Sequence, residues 1–220
     1  MIRTTLSRLI LLIALTTINP TFAQDGVETT FDGLARIEKG AFKLSYADPD
    51  IDFSSYTKYI PGPATFEFRA VKKSSSATAR RNNSNEYYIS DRNRQKLEDV
   101  VTGIFADELS KSEVFTETTN PGPDTLIIRG ALHDIVSRVP PELVGRGEIY
   151  LASIGEATLI IEALDSLSGE VIYRGIERRA VQRGGNRMML SSPATNWGEV
   201  RRWARHWASR LREAMDAIHE

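Results

Sequence analysis

The chain contains no cysteine. That excludes thiolate metal sites, cysteine nucleophiles, thiol redox chemistry and disulfide staples. Stability must come from a hydrophobic core, and 220 residues are enough to build one. Histidine is scarce: His133, His206 and His219 are the only three, and no two have the helical spacing of a zinc pair. No glycine-rich phosphate loop ends in Gly-Lys-Ser/Thr. No Gly-x-Ser-x-Gly elbow occurs either; Leu151 to Gly155 comes nearest and lacks the first glycine. An excess of positive charge is also missing. With 28 basic and 29 acidic residues, bulk nucleic-acid affinity is not expected.

What is present begins with an export pattern. Arg3 and Arg8 form a positive start without an acid, and Leu9–Ile18 is a short apolar run. Pro20 breaks it, and Thr21-Phe22-Ala23 sets small residues at the cleavage positions before Gln24. The run is about half the ~20 apolar residues of a spanning helix. Met1–Ala23 therefore reads as a cleavable signal peptide and residues 24–220 as a single domain, periplasmic or secreted. No cysteine follows the apolar run to carry a lipid. Losing Arg3 and Arg8 takes the net charge from −1 to about −3.

Within that domain, Gln24–Lys39 is polar and reads as a loose lead-in, followed by a turn at Asp48-Pro49-Asp50. Tyr56–Ile60 and Thr65–Val71 read as extended, the second by alternation of Phe66, Phe68 and Ala70 with polar neighbours. Pro61-Gly62-Pro63 between them suits an edge or a bend. Lys72–Asn85 is basic and has no aliphatic anchor larger than alanine, which predicts a mobile basic loop. Ser90–Lys111 is a helix capped by Ser90, with Leu97, Val100, Val101, Ile104 and Phe105 on one face. Val114–Thr118 is a short strand, Asp124–Val139 a long one bent near Gly130. Ile149–Leu164 and Val171–Gln182 form a hairpin around the Ser166–Gly169 turn. Trp197–His219 is the last helix, with Asn196 and Glu199 as its capping pair. The fold class is α+β: a mixed or antiparallel sheet of about four to five strands, covered on one face by two helices.

Site candidates are few. Val200, Trp203, Ala204, Trp207, Leu211, Met215 and Ile218 make an apolar face, with Arg201, Arg205 and Arg212 as a basic stripe beside it. The stripe is the candidate contact for a partner or an anionic surface. Such a helix can lie on a membrane, but the same pattern packs a helix onto a sheet, and packing is the preferred reading. Glu108 shares the apolar face of the first helix and reads as a last-turn glutamate reaching solvent. His133 and Asp134, neighbours on a strand, point to opposite faces and form no base–orienter pair. His206 lies beside the tryptophan face, and His219 lies in a frayed terminus. Asp48, Asp50 and Asp52 read as a solvated turn rather than a calcium loop. No catalytic, cofactor-binding or metal-binding residue is assigned.

Four stretches carry a resemblance. They are Tyr56 to Pro63, the turn and strand from Asn120 to Ile135, the hairpin from Ala157 to Ile172, and the helix after Asn196-Trp197. Together, from about Phe42 to Ile218, they resemble the exported bacterial family known as domain of unknown function 3313. The resemblance implies an envelope protein and supplies no activity and no catalytic residues. Many members bear a lipid-carrying cysteine; Ala23-Gln24 stands in that place here.

The expected function is a non-enzymatic binding or accessory subunit of the cell envelope, without a cofactor. Its partner is expected to be an envelope protein or assembly, with no nucleic acid and at most peripheral membrane contact. The alternatives are a peripheral membrane binder using the arginine-rich helix, and a periplasmic hydrolase working through carboxylates. N-terminal sequencing of the protein from a periplasmic extract should read from Gln24; retention of Met1 in the membrane fraction would refute cleavage.

Overall fold

A computed structural model describes residues 28–72, 85–140, 148–182 and 188–219. The signal segment, most of the basic loop after Lys72 and residues 141–147 lie outside them. Nine strands and two long helices follow in the order β1 (Ala35–Ile37), β2 (Leu44–Ala47), β3 (Lys58–Phe68), α1 (Asp91–Leu109), β4 (Thr116–Glu117), β5 (Thr125–Ser137), β6 (Tyr150–Leu151), β7 (Gly155–Asp165), β8 (Val171–Val181), β9 (Met189–Leu190) and α2 (Pro193–Asp216). Seven strands form one mixed sheet in the order β1-β2-β8-β7-β5-β3-β4, and β6 and β9 form a separate ribbon. The α+β class holds, with more strands than the four to five expected.

The extra strands come from the N-terminal stretch. β1 pairs with β2, and β2 pairs with β8, both antiparallel. Leu34 is 1 % exposed, so part of the lead-in belongs to the core. Strands of three and four residues are too short to show a period, which is why Gln24–Lys39 looks unstructured in sequence.

β3 runs unbroken through Pro61-Gly62-Pro63, with a register shift against β5 between Pro61 and Ala64. On its outer side it pairs with β4 only at Lys58 and Tyr59. The carbonyls of Thr57 and Tyr59 accept the N–H groups of Thr116 and Thr118. The next outward position is Pro61, which has no N–H to offer, so the ladder stops there.

β7 and β8 form the expected hairpin. Asp165 Oδ1 accepts the N–H groups of Leu167 and Ser168, and Gly169 takes the left-handed conformation at φ 73°. The stretch expected as one strand from Ile149 to Leu164 is divided between β6 and β7.

α1 begins as its sequence indicates, with the Ser90 side chain accepting from Asn93 N–H. α2 begins four residues earlier than expected. Ser192 is its cap, Thr195 completes the capping box, and Pro193 occupies the first turn. Proline is favoured there because its φ already suits the helix and its missing N–H would have had no partner. Asn196 N–H already bonds to Ser192 O, so Asn196 and Glu199 lie inside the helix. At the other end, His219 is not frayed. Its Nε2 is 2.8 Å from the Tyr56 carbonyl, and its ring meets Phe115 edge-on at 5.7 Å.

The helices pack on each other and on the same face of the sheet. Val101 and Leu109 of α1, and Trp203, Trp207, Leu211 and Met215 of α2, join Leu126, Leu132, Leu159 and Ile161 in one core. Trp207 is fully buried. The other face of the sheet carries charge in pairs. Glu162 joins Arg129 and Arg174, and Asp134 joins Arg69 and Arg178. These two guanidiniums hold the Asp134 carboxyl at about 2, well below its ordinary value.

Trp207→Ala should cost about 3–5 kcal/mol in urea unfolding, the range for truncating a buried large aromatic. A variant that unfolds like the parent would contradict the packed assignment of α2.

Candidate functional site

A cavity of about 510 Å³ lies between the first halves of both helices and one end of the sheet. α1 contributes Asn93 and Leu97, and α2 contributes Asn196, Trp197, Val200 and Trp203. The floor is Leu132, Ile135, Ile154, Ala157 and Val181, where β5 and β8 end and β7 begins.

Local backbone chemistry shapes that floor. β5 shifts register against β7 between His133 and Val136, and Asp134 sits there at φ 54°. This is a bulge, and aspartate is among the residues that tolerate the left-handed region. It resets the alternation, so that consecutive Ile135 and Val136 are both buried, at 6 % and 3 % exposure. β7 then passes very close to the bulged strand. A Cβ on Gly155 would lie 2.3 Å from the Val136 carbonyl oxygen, so only glycine fits there.

Polar contacts and exposed apolar side chains both lie beside the cavity. Asn196 Nδ2 donates to Ser191 Oγ at 3.0 Å. The Lys96 ammonium lies over the Trp197 ring, 4.4 Å from its centroid, and so bridges α1 and α2. Beside Ile149 and Ser191 of the cavity wall, the β6–β9 ribbon presents Tyr150 and Leu190, and Met188 lies just before β9, all exposed.

The three arginines of the expected stripe share one side of α2 but not one role. Arg201 is exposed. Arg205 Nε is 3.5 Å from Glu108 Oε1. Arg212 reaches Asp216 at 3.0 Å and Glu213 at 3.4 Å. Glu108 does not reach solvent as expected: it is 6 % exposed. Lys111 meets it at 2.9 Å and the Ser209 hydroxyl donates to it at 3.3 Å, so it ties α1 to α2. Its partners on α2 lie some hundred residues away in sequence, so nothing near Glu108 announces them.

The remaining candidates have local roles. His133 Nδ1 lies 2.5 Å from Glu67 Oε2 on β3, while Asp134 turns to Arg69 and Arg178. The bulge sets both on the same sheet face, not on opposite ones as expected, but with separate partners, so the two do not form a pair. Partial burial, then the charges of Arg179 and Arg210, lower the pKa of His206. Asp48 and Asp52 accept hydrogen bonds from Asp50 and Ser54 within their own turns. Among the described residues, no three histidines, aspartates or glutamates gather as a metal site would require. Sequence reasoning did not find the cavity. Its one advance signal was the Ser191-Ser192-Pro193 helix start, which brings Asn196, Trp197 and Val200 to the sheet end.

Three solved structures show loose similarity. A PelC dodecamer from Paraburkholderia phytofirmans shares 12% identity at a TM-score of 0.32, over 76% of this chain and 95% of that one. Protein XCC0632 from Xanthomonas campestris shares 13% at 0.32, over 78% and 86%. A putative neuraminyllactose-binding hemagglutinin homolog from Helicobacter pylori shares 10% at 0.36, over 75% and 90%. No curated protein matches it. The model of the protein family of unknown function DUF3313 matches residues 22–211, most of the chain, and the protein belongs to that family.

Proposed function

We propose that the protein is a non-enzymatic binding protein of the cell envelope, exported by its Met1–Ala23 leader, that holds an apolar molecule between its two helices and the end of its sheet. The cavity carries this reading. At about 510 Å³ it falls within the ~300–1,000 Å³ of small-ligand sites, which are mainly apolar with a few placed polar groups. Leu97, Leu132, Ile135, Ile154, Val200 and Trp203 match that description. The carboxylates nearby favour binding over chemistry. Glu156 is held by Arg138 and Arg178, and Glu199 by Arg202.

The membrane-surface alternative loses its apolar half. Trp203, Trp207 and Leu211 are buried against the sheet, which leaves arginines, not tryptophans, to meet a partner. Accessory contact with an envelope assembly through Arg201 remains part of the proposal.

Titration with the neutral probe N-phenyl-1-naphthylamine should give saturable binding at one site per chain. Val200→Trp and Leu97→Phe, which fill the cavity, should each weaken it about tenfold or more. Overpacking has its own cost of roughly 1–3 kcal/mol, so the comparison uses whichever variant unfolds cooperatively. Absence of saturable binding, or equal binding by a folded filled variant, would overturn the reading.

A further inference from the structure

We propose that the cavity takes an amphipath with one long apolar chain and an anionic head, with the chain inside and the head on Lys96. This rests on the cavity being a ligand site and names the class of ligand. Most cations near the helices are already neutralised. Among the basic residues of α2, Arg202 pairs with Glu199, Arg205 with Glu108, Arg210 with Glu177 and Arg212 with Asp216, while Arg201 is exposed. On α1, Arg94 is taken up by the Ile89 carbonyl and the Phe68 and Tyr88 rings. Lys96 on α1 differs from these. It is exposed, no carboxylate among the described residues pairs with it, and its ammonium is held over the Trp197 ring at 4.4 Å. That ring lines the cavity, as do Asn93 and Leu97 on either side of Lys96 along α1. A fixed positive charge therefore stands where the apolar lining meets solvent. A neutral hydroxyl head gains at most a hydrogen bond from it, and a cationic head is repelled. An anionic head can pair with the ammonium while its chain covers Ile135, Ile154 and Val200. A carboxylate and a phosphate ester meet this requirement equally, so the shared chemistry is an anion at the end of an alkyl chain.

The test is calorimetric titration of the mature protein at pH 8 and low salt with dodecanoate, dodecanol and lysophosphatidylglycerol. At least one anionic amphipath should bind about fivefold more tightly than dodecanol, the size expected of an exposed ion pair. Which one does so distinguishes a free acid from a lipid headgroup as the source. Lys96→Gln should remove the preference and leave dodecanol binding unchanged, and Lys96→Glu should reverse it. Equal binding of anionic and neutral ligands by the parent, or a preference that survives Lys96→Gln, would overturn the headgroup assignment and leave the cavity reading standing. Failure of all three ligands to bind would overturn both.

Discussion

Trp203 and Trp207 stack at 3.9 Å between ring centroids, tilted by 44°, and their burial holds α2 on the sheet. The arrangement has a cost: among the described residues, neither indole Nε1 has a hydrogen-bond partner. An unpaired buried donor costs about 1–3 kcal/mol. Burying an aromatic side chain removes some 150–250 Å² from water, and at about 25 cal/mol per Å² that contributes roughly 4–6 kcal/mol. Burial wins for each ring, so the apolar face of α2 is committed to the core. Once α2 is fixed, the first halves of both helices and one end of the sheet have fixed places, and the space between them is the cavity.

Charge in this protein is divided by location. On the open face of the sheet, Arg129, Arg174, Arg69 and Arg178 lie across strands from Glu162 and Asp134. Pairs of this kind keep a sheet face wet and unattractive to edge or face association, while each exposed pair adds little stability. Between the helices, Glu108 is buried against α2, with Lys111, Arg205 and Ser209 around it, and Glu177 of β8 is buried against Arg210 of the same helix. A buried charge tolerates the loss of water only with such partners. Lys96 belongs to neither group, and its place beside the cavity gives it its interest.

Much of the scaffold was legible in sequence. Ser90 and the three-and-four spacing from Leu97 to Phe105 mark α1, and the Asp165–Gly169 turn between two apolar alternations marks the β7–β8 hairpin. The buried face of α2 was legible too, since Trp203, Trp207, Leu211 and Met215 recur at helical spacing. Strands β1, β2, β6 and β9 were not, because segments of two to four residues have no period to read. The start of α2 was misplaced because Asn196 and Glu199 also fit a capping box, and Pro193 decides between the two only when its preference for the first turn is weighed. The cavity was illegible for a different reason. It arises where packing is incomplete between residues from Leu97 to Trp203, and a gap between distant elements leaves no local pattern.

The binding site stands on an accessible apolar space between the helices and the end of the sheet. Apolar cavities of suitable size take up xenon, so a crystal of the mature protein under xenon pressure tests it directly. The account predicts xenon density among Leu132, Ile135, Ile154 and Val200. Side chains collapsed into that space, with no density there, would contradict it.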